Sequence, residues 1–230
     1  MIDAFETIRQ NLVADRDSIV MRQRGWQPVY TASASAMIAV IGQAPGWRAQ
    51  TSGVPWDDAS GKNLIDWLGV TEKEFRNPNL FALLPMDFYY PGTGRSGDLP
   101  PRKGFAEQWH PPLLALMPKI RLTLLIGRYA QIHYLPSRRR GTLTDTVRDY
   151  RQFTPQQFPL VHPSPLNFRW HMKNPWFVTD VLPQLRTHVR SALDSSSATD
   201  LTRDRPDGVD CLGDTERLAT IAGGAAKEDR

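Results

Sequence analysis

Two short segments of the chain hold most of the residue types that could do chemistry. In Gly42-Gln43-Ala44-Pro45-Gly46-Trp47-Arg48 the glycines permit close backbone approach to a ligand, and the Gln43 amide offers a donor and an acceptor able to orient a water or a base. The bland alternative is a tight strand-to-helix turn with no chemistry. The stretch runs on through Thr51-Ser52-Gly53-Val54-Pro55-Trp56-Asp57-Asp58-Ala59-Ser60-Gly61, which adds an indole and two carboxylates. Trp56 could stack on a base, a contact worth roughly 1 to 3 kcal/mol. Equally, it could fill the core while an Asp or Ser caps the next helix. In His162-Pro163-Ser164-Pro165-Leu166-Asn167 two prolines stiffen the backbone around an imidazole and a hydroxyl. His162 could donate a hydrogen bond to an oxygen that gains negative charge, and Ser164 with nearby backbone N–H groups could hold a phosphate. A lone histidine at a strand end is more often structural, and His110, His133 and His188 are too scattered to suggest a zinc set.

Elements that would position these segments are legible from apolar patterning. Four short apolar runs read as buried strands: Met37 to Ile41, Leu80 to Leu84, Leu122 to Ile126, and Phe158 to Val161. Their near-continuous apolarity implies cover on both faces. Segments compatible with helices lie between them, including Gly61 to Leu68, Pro112 to Met117 and Arg128 to Leu135. The alternation predicts an α/β fold, a three-layer α/β/α sandwich around a central, mainly parallel four-stranded sheet. In such sheets the ligand crevice lies beyond the carboxyl ends of the strands, where both segments fall. Phe5, Ile8 and Leu12 have the spacing of an amphipathic helix at the start. A last helix is expected to begin near Asn174-Pro175, to carry Phe177, Val181, Leu185 and Val189 on one face, and to kink at Pro183.

Composition sets the outer limits. With 230 residues and 40% hydrophobic content, one sizeable domain over residues 1–194 is expected. The polar run from Ser195 to Arg230 holds too few large apolar residues to offset the entropy of ordering it, and reads as a disordered tail. There is no long apolar run and no basic-then-apolar start, so a cytoplasmic protein without membrane contact is expected. The single cysteine, Cys211, cannot form an internal disulfide or supply a thiolate cluster. A net charge of +4 suits a polyanion only weakly, but Arg138-Arg139-Arg140 form a block, and Arg169, His171 and Lys173 follow the second segment closely. Taken alone, such charges usually face solvent.

The two segments together resemble the uracil-DNA glycosylase superfamily, over roughly Met37 to Val189. Gly42-Gln43-Ala44-Pro45-Gly46 followed by Gly53-Val54-Pro55-Trp56 is similar to the single-strand-selective monofunctional branch, which has Gly-Met-Asn-Pro-Gly and then Gly-Val-Pro-Phe. His162-Pro163-Ser164-Pro165-Leu166-Asn167 is similar to that branch's His-Pro-Ser-Pro-Arg-Asn and to the His-Pro-Ser-Pro-Leu of the main uracil enzymes. The resemblance implies a DNA glycosylase of base excision repair, acting on a damaged or deaminated base as a monomer with neither cofactor nor metal. It implies that Gln43, Ala44 and Trp56 border the base and that His162 stabilises the charge on the departing base. Leu166 would penetrate the duplex, with Ser164, Asn167 and Arg169 near the backbone.

Departures from the family pattern bear on the pocket. The main uracil enzymes have an aspartate after Gly-Gln where this chain has Ala44, and the iron–sulfur branch has a glutamate after Gly where it has Gln43. Asp58, in Asp58-Ala59-Ser60-Gly61, resembles the Asp-x-Ser-Gly element of a branch that also lacks the first-motif acid, and with Gln43 could position the water. Where relatives place a base-reading asparagine, this chain reads Leu84-Pro85-Met86-Asp87. Asp87 could accept from an exocyclic amine and would repel uracil O4, which points toward a deaminated purine or another modified base. No lysine adjoins either motif to form a Schiff base, although Lys62 and Lys173 are near. A non-catalytic DNA-binding relative and an enzyme acting on free nucleosides are the competing readings.

Overall fold

The computed structural model describes residues 3–95, 97–135 and 141–194. The block Arg138-Arg139-Arg140 and the segment from Ser195 onward, expected to be a tail, lie outside the described residues.

Four strands build the central sheet: β1 (Ile38–Ile41), β2 (Phe81–Leu83), β5 (Leu122–Ile126) and β6 (Gln157–Leu160). They lie in the order β2-β1-β5-β6, and every pairing is parallel. Each falls on one of the expected apolar runs. A two-stranded antiparallel ribbon, β3 (Thr93–Gly94) with β4 (Gly97–Asp98), was not foreseen. Side chains alternate across the sheet as the pleat requires. Ile38, Val40, Leu122, Leu124 and Ile126 point into one apolar layer, and Ala39, Ile41, Ala82 and Leu125 are buried on the other side.

Helices cover both faces. In chain order they are α1 (Ala4–Ala14), α2 (Ile19–Gln23), α3 (Trp47–Ser52), α4 (Ala59–Leu68), α5 (Glu72–Phe75), α6 (Phe105–Ala115), α7 (Gly127–Tyr134), α8 (Leu143–Arg148), α9 (Phe168–Lys173) and α10 (Leu182–Leu193). Leu64 and Leu68 of α4 join Leu185 and Val189 of α10 over the first layer, while Leu12 of α1 and Phe105 and Leu113 of α6 cover the second. The sheet is thus the middle of an α/β/α sandwich.

Two expectations about the helices need correction. The helix placed at Pro112 starts earlier, at Phe105, and carries Pro111 and Pro112 within it. The last helix is not α-helical throughout: a π-helical turn, Phe177–Val181, leads directly into α10, and Pro183 sits in the first turn of α10. The apolar face survives, since Phe177, Val181, Leu185 and Val189 are all buried.

Candidate functional site

The loops after β1, β2 and β6 open on one cleft of about 620 Å³, within the range of small-ligand sites. The cleft lies beyond the carboxyl ends of the strands. Gln43, Ala44, Trp56 and Asp58 line it from one side of the chain, His162, Ser164, Leu166 and Asn167 from the other. The two segments are more than a hundred positions apart in sequence, and the sheet order brings them together.

Trp56 is held by its backbone. It has a left-handed φ of 57°, uncommon for a bulky residue and costly unless its surroundings fix it. Arg76 supplies that fixation, its guanidinium donating to the carbonyls of Pro55 and, at 3.3 Å, of Trp56 itself. The indole lies so close over Gly42 that a Cβ there would come 2.8 Å from Cζ2, and it stands 5.9 Å from the His162 ring at 30°. It also packs against the core, so core filling and pocket lining both hold for this residue.

Asp58 likewise does two things. Its Oδ1 accepts the Gly61 N–H at 2.8 Å and caps α4. Its Oδ2 is turned toward the first loop, 3.8 Å from where a Cβ on Gly46 would stand. A carboxylate fixed through one oxygen keeps its other oxygen free to accept from a water.

The second segment is stapled at three points. Asn63 of α4 donates to the Pro163 carbonyl at 2.9 Å, Asn167 Nδ2 to the His162 carbonyl at 2.8 Å, and the Leu166 N–H to Ser164 Oγ at 3.2 Å. These bonds aim the imidazole into the cleft. Burial pushes the His162 pKa below its usual value, against the upward pull of the Asp58 and Asp98 carboxylates. The ring is therefore neutral at pH 7, with one N–H to donate. Leu166 is 85% exposed at the lip of the cleft, too apolar for that place unless something covers it.

Three sequence expectations change. Asp87 does not border the cleft. It is fully buried, and its carboxylate is saturated by Arg102 Nε at 2.7 Å, Arg102 Nη2 at 2.8 Å and the N–H groups of Tyr89 and Arg102. It cannot read a base edge. Gln43 lines the cleft, but its Nε2 is committed to the Leu99 carbonyl at 2.9 Å, which leaves its oxygen for a ligand or water. Arg169 lies outside the lining, on the exposed face of α9 with its guanidinium over the Phe168 ring.

Sequence reasoning missed Pro85, as a wall rather than a lost asparagine, and it missed Asp98. Both line the cleft. The Pro85 carbonyl accepts from Nε2 of the buried His110, whose Nδ1 takes the Tyr134 hydroxyl at 2.6 Å, so this wall is braced from behind. Asp98 arrives on the ribbon, and the one available signal was the turn-rich string Pro91-Gly92-Thr93-Gly94 with Gly97. Among the described residues no group of three or more His, Cys, Asp or Glu is gathered as a metal would need, and no helix is long and apolar enough to cross a membrane. A family model matches residues 28–186, a span that holds every site residue named above; its description is the uracil DNA glycosylase superfamily.

Proposed function

The chain belongs to the uracil DNA glycosylase superfamily, and from that premise we propose that it is a monofunctional glycosylase that hydrolyses the bond between a flipped, deaminated or damaged base and its sugar in DNA. Family membership supports glycosylase chemistry on DNA in general. The observation that carries the finer reading is the convergence of Gln43, Trp56, Asp58 and His162 on one cleft.

Each group has a task there. The base lies against the Trp56 indole and the Gln43-Ala44 backbone. As the glycosidic bond breaks, its electron pair moves onto the base, and the neutral His162 N–H donates to the base oxygen that takes up the charge. A neutral donor suits this better than a cation that would have to be made in a buried place. The free Oδ2 of Asp58 and the oxygen of Gln43 orient water toward the sugar carbon. Leu166 enters the base stack as the nucleotide leaves, while Ser164, Asn167 and Arg169 face the strand. With Asp87 closed off, base choice falls to Pro85, Gln43 and Ala44.

The test is base release from oligonucleotides bearing uracil, hypoxanthine, xanthine, or methylated or ethenylated bases. Release of at least one base is expected, with His162→Ala losing turnover and keeping DNA binding. If no base leaves while the oligonucleotides bind normally, the chain is a non-catalytic relative. Release that does not weaken with salt would instead indicate a nucleoside enzyme.

A further inference from the structure

The ribbon β3–β4 brings a second carboxylate to the cleft. Its base is closed by the Asp87–Arg102 pair, one partner before the ribbon and one after it. The Leu99 N–H donates to the Gly92 carbonyl at 2.8 Å, and the Tyr90 hydroxyl meets Thr93 Oγ1 at 2.5 Å. Across the cleft, Gln43 Nε2 reaches the Leu99 carbonyl at 2.9 Å and that of Asp98 at 3.5 Å. Four anchors thus fix a short exposed ribbon that has almost no core of its own. What they deliver is Asp98, with Oδ2 4.0 Å from the point where a Gly46 Cβ would stand. Asp58 Oδ2 is 3.8 Å from that same point.

We propose that Asp98 is a catalytic residue, the carboxylate that takes a proton from the attacking water. The assignment rests on the glycosylase reading above. Asp58 has given one oxygen to the cap of α4, and its place is set by that helix. Among the described residues, Asp98 has no hydrogen bond or ion pair to its carboxylate, so both oxygens are available. In the step itself, the water oxygen bonds to the sugar carbon and the carbon–nitrogen bond breaks. That bond's pair departs on the base beside His162, and the water proton passes to Asp98. The conservation of charge is complete: the carboxylate is neutralised as the base becomes an anion, and the proton later returns to the base or to solvent. Gln43 is a positioning residue here, tying the ribbon to the first loop. This role uses an amide donor where the loop has no acid of its own.

The experiment is single-turnover base release by wild type, Asp98→Asn and Gln43→Leu on the best oligonucleotide, as a function of pH, with binding to an abasic oligonucleotide measured in parallel. Asp98→Asn should lose roughly 100-fold or more in rate, bind the abasic product within about threefold, and lose the acidic limb of the pH profile. Gln43→Leu should slow release but keep that limb, because the carboxylate is still present and only less well placed. Asp98→Asn that releases base within about threefold of wild type, or that retains the acidic limb, overturns the assignment while leaving the glycosylase reading intact. A wild type that releases no base overturns both.

Discussion

Replacement of Gly61 by alanine tests how the site is held. A Cβ on Gly61 would lie 1.9 Å from the Trp56 carbonyl oxygen, 2.8 Å from its carbon and 3.0 Å from the Trp56 Cβ. Carbon and oxygen rest in contact at about 3.3 Å, so the first turn of α4 and the Trp56 backbone must separate by roughly 1.4 Å. The atoms in the way are backbone and cannot swing aside. Overpacking of this kind costs about 1 to 3 kcal/mol, and loosening the Asp58 cap adds about 1 kcal/mol. The better helix propensity of alanine returns up to about 1 kcal/mol. A net loss of about 1 to 4 kcal/mol corresponds to a fall in Tm of roughly 2 to 16 °C for a domain of this size. Because the indole moves with its backbone, base release should also drop by about 100-fold. The comparison variant is Gly53→Ala, where φ is +70° but nothing lies within 4 Å. It should pay only the left-handed strain, about 1 to 2 kcal/mol, with base release unchanged. Thermal unfolding and the base-release assay on both variants decide the matter. A Gly61→Ala protein that melts within about 1 °C of wild type and releases base normally refutes the account of how Trp56 is positioned.

Asp87→Asn leaves the Arg102 guanidinium facing a neutral amide and should cost about 3 kcal/mol in denaturant unfolding, at the low end for a buried pair because Arg102 is partly exposed. The base preference of the folded protein should not change, and a changed preference would restore the base-reading role. Burial lowers the His110 pKa from 6.5 to about 4, so at pH values between these the unfolded chain binds a proton that the folded chain refuses. Stability from this residue is full above pH 6.5 and falls as the pH drops toward 4, by about 3 kcal/mol. Denaturant midpoints at pH 7 and pH 4.5 should therefore diverge more for wild type than for His110→Phe, and equal divergence would exclude His110 as the source. Leu166→Ala removes a side chain that is 85% exposed and should shift stability by less than about 0.5 kcal/mol. Release from duplex should fall while release from single strands persists, and equal effects on both would mean that Leu166 does not enter the stack.

Much of this protein is legible in its sequence. Short continuous apolar runs rich in β-branched residues, such as Ile38 to Ile41, read as strands buried on both faces, and their alternation with helices points to the class of fold. The two motifs were readable as well, because Pro and Gly at set positions restrict the backbone locally and leave a pattern independent of the rest of the chain. Asp87 shows where local reading fails. Its type and its place after a strand suited a base reader, yet Arg102, fifteen positions later, pairs with both of its oxygens and, with the Tyr89 N–H, leaves no acceptor for a base. No local signal marks that pairing, since it depends on a ribbon folding back. Asp98 is the converse: an unremarkable aspartate in a turn-rich string becomes part of the cleft only because Gln43 and the Asp87–Arg102 pair hold the ribbon there. Sequence alone determined which backbone segments could present chemistry, because periodicity and stiff residues act within a few positions. Which carboxylate faces the cleft and which is spent inside the fold was decided by tertiary structure, because a charge takes its role from the partner that reaches it through space.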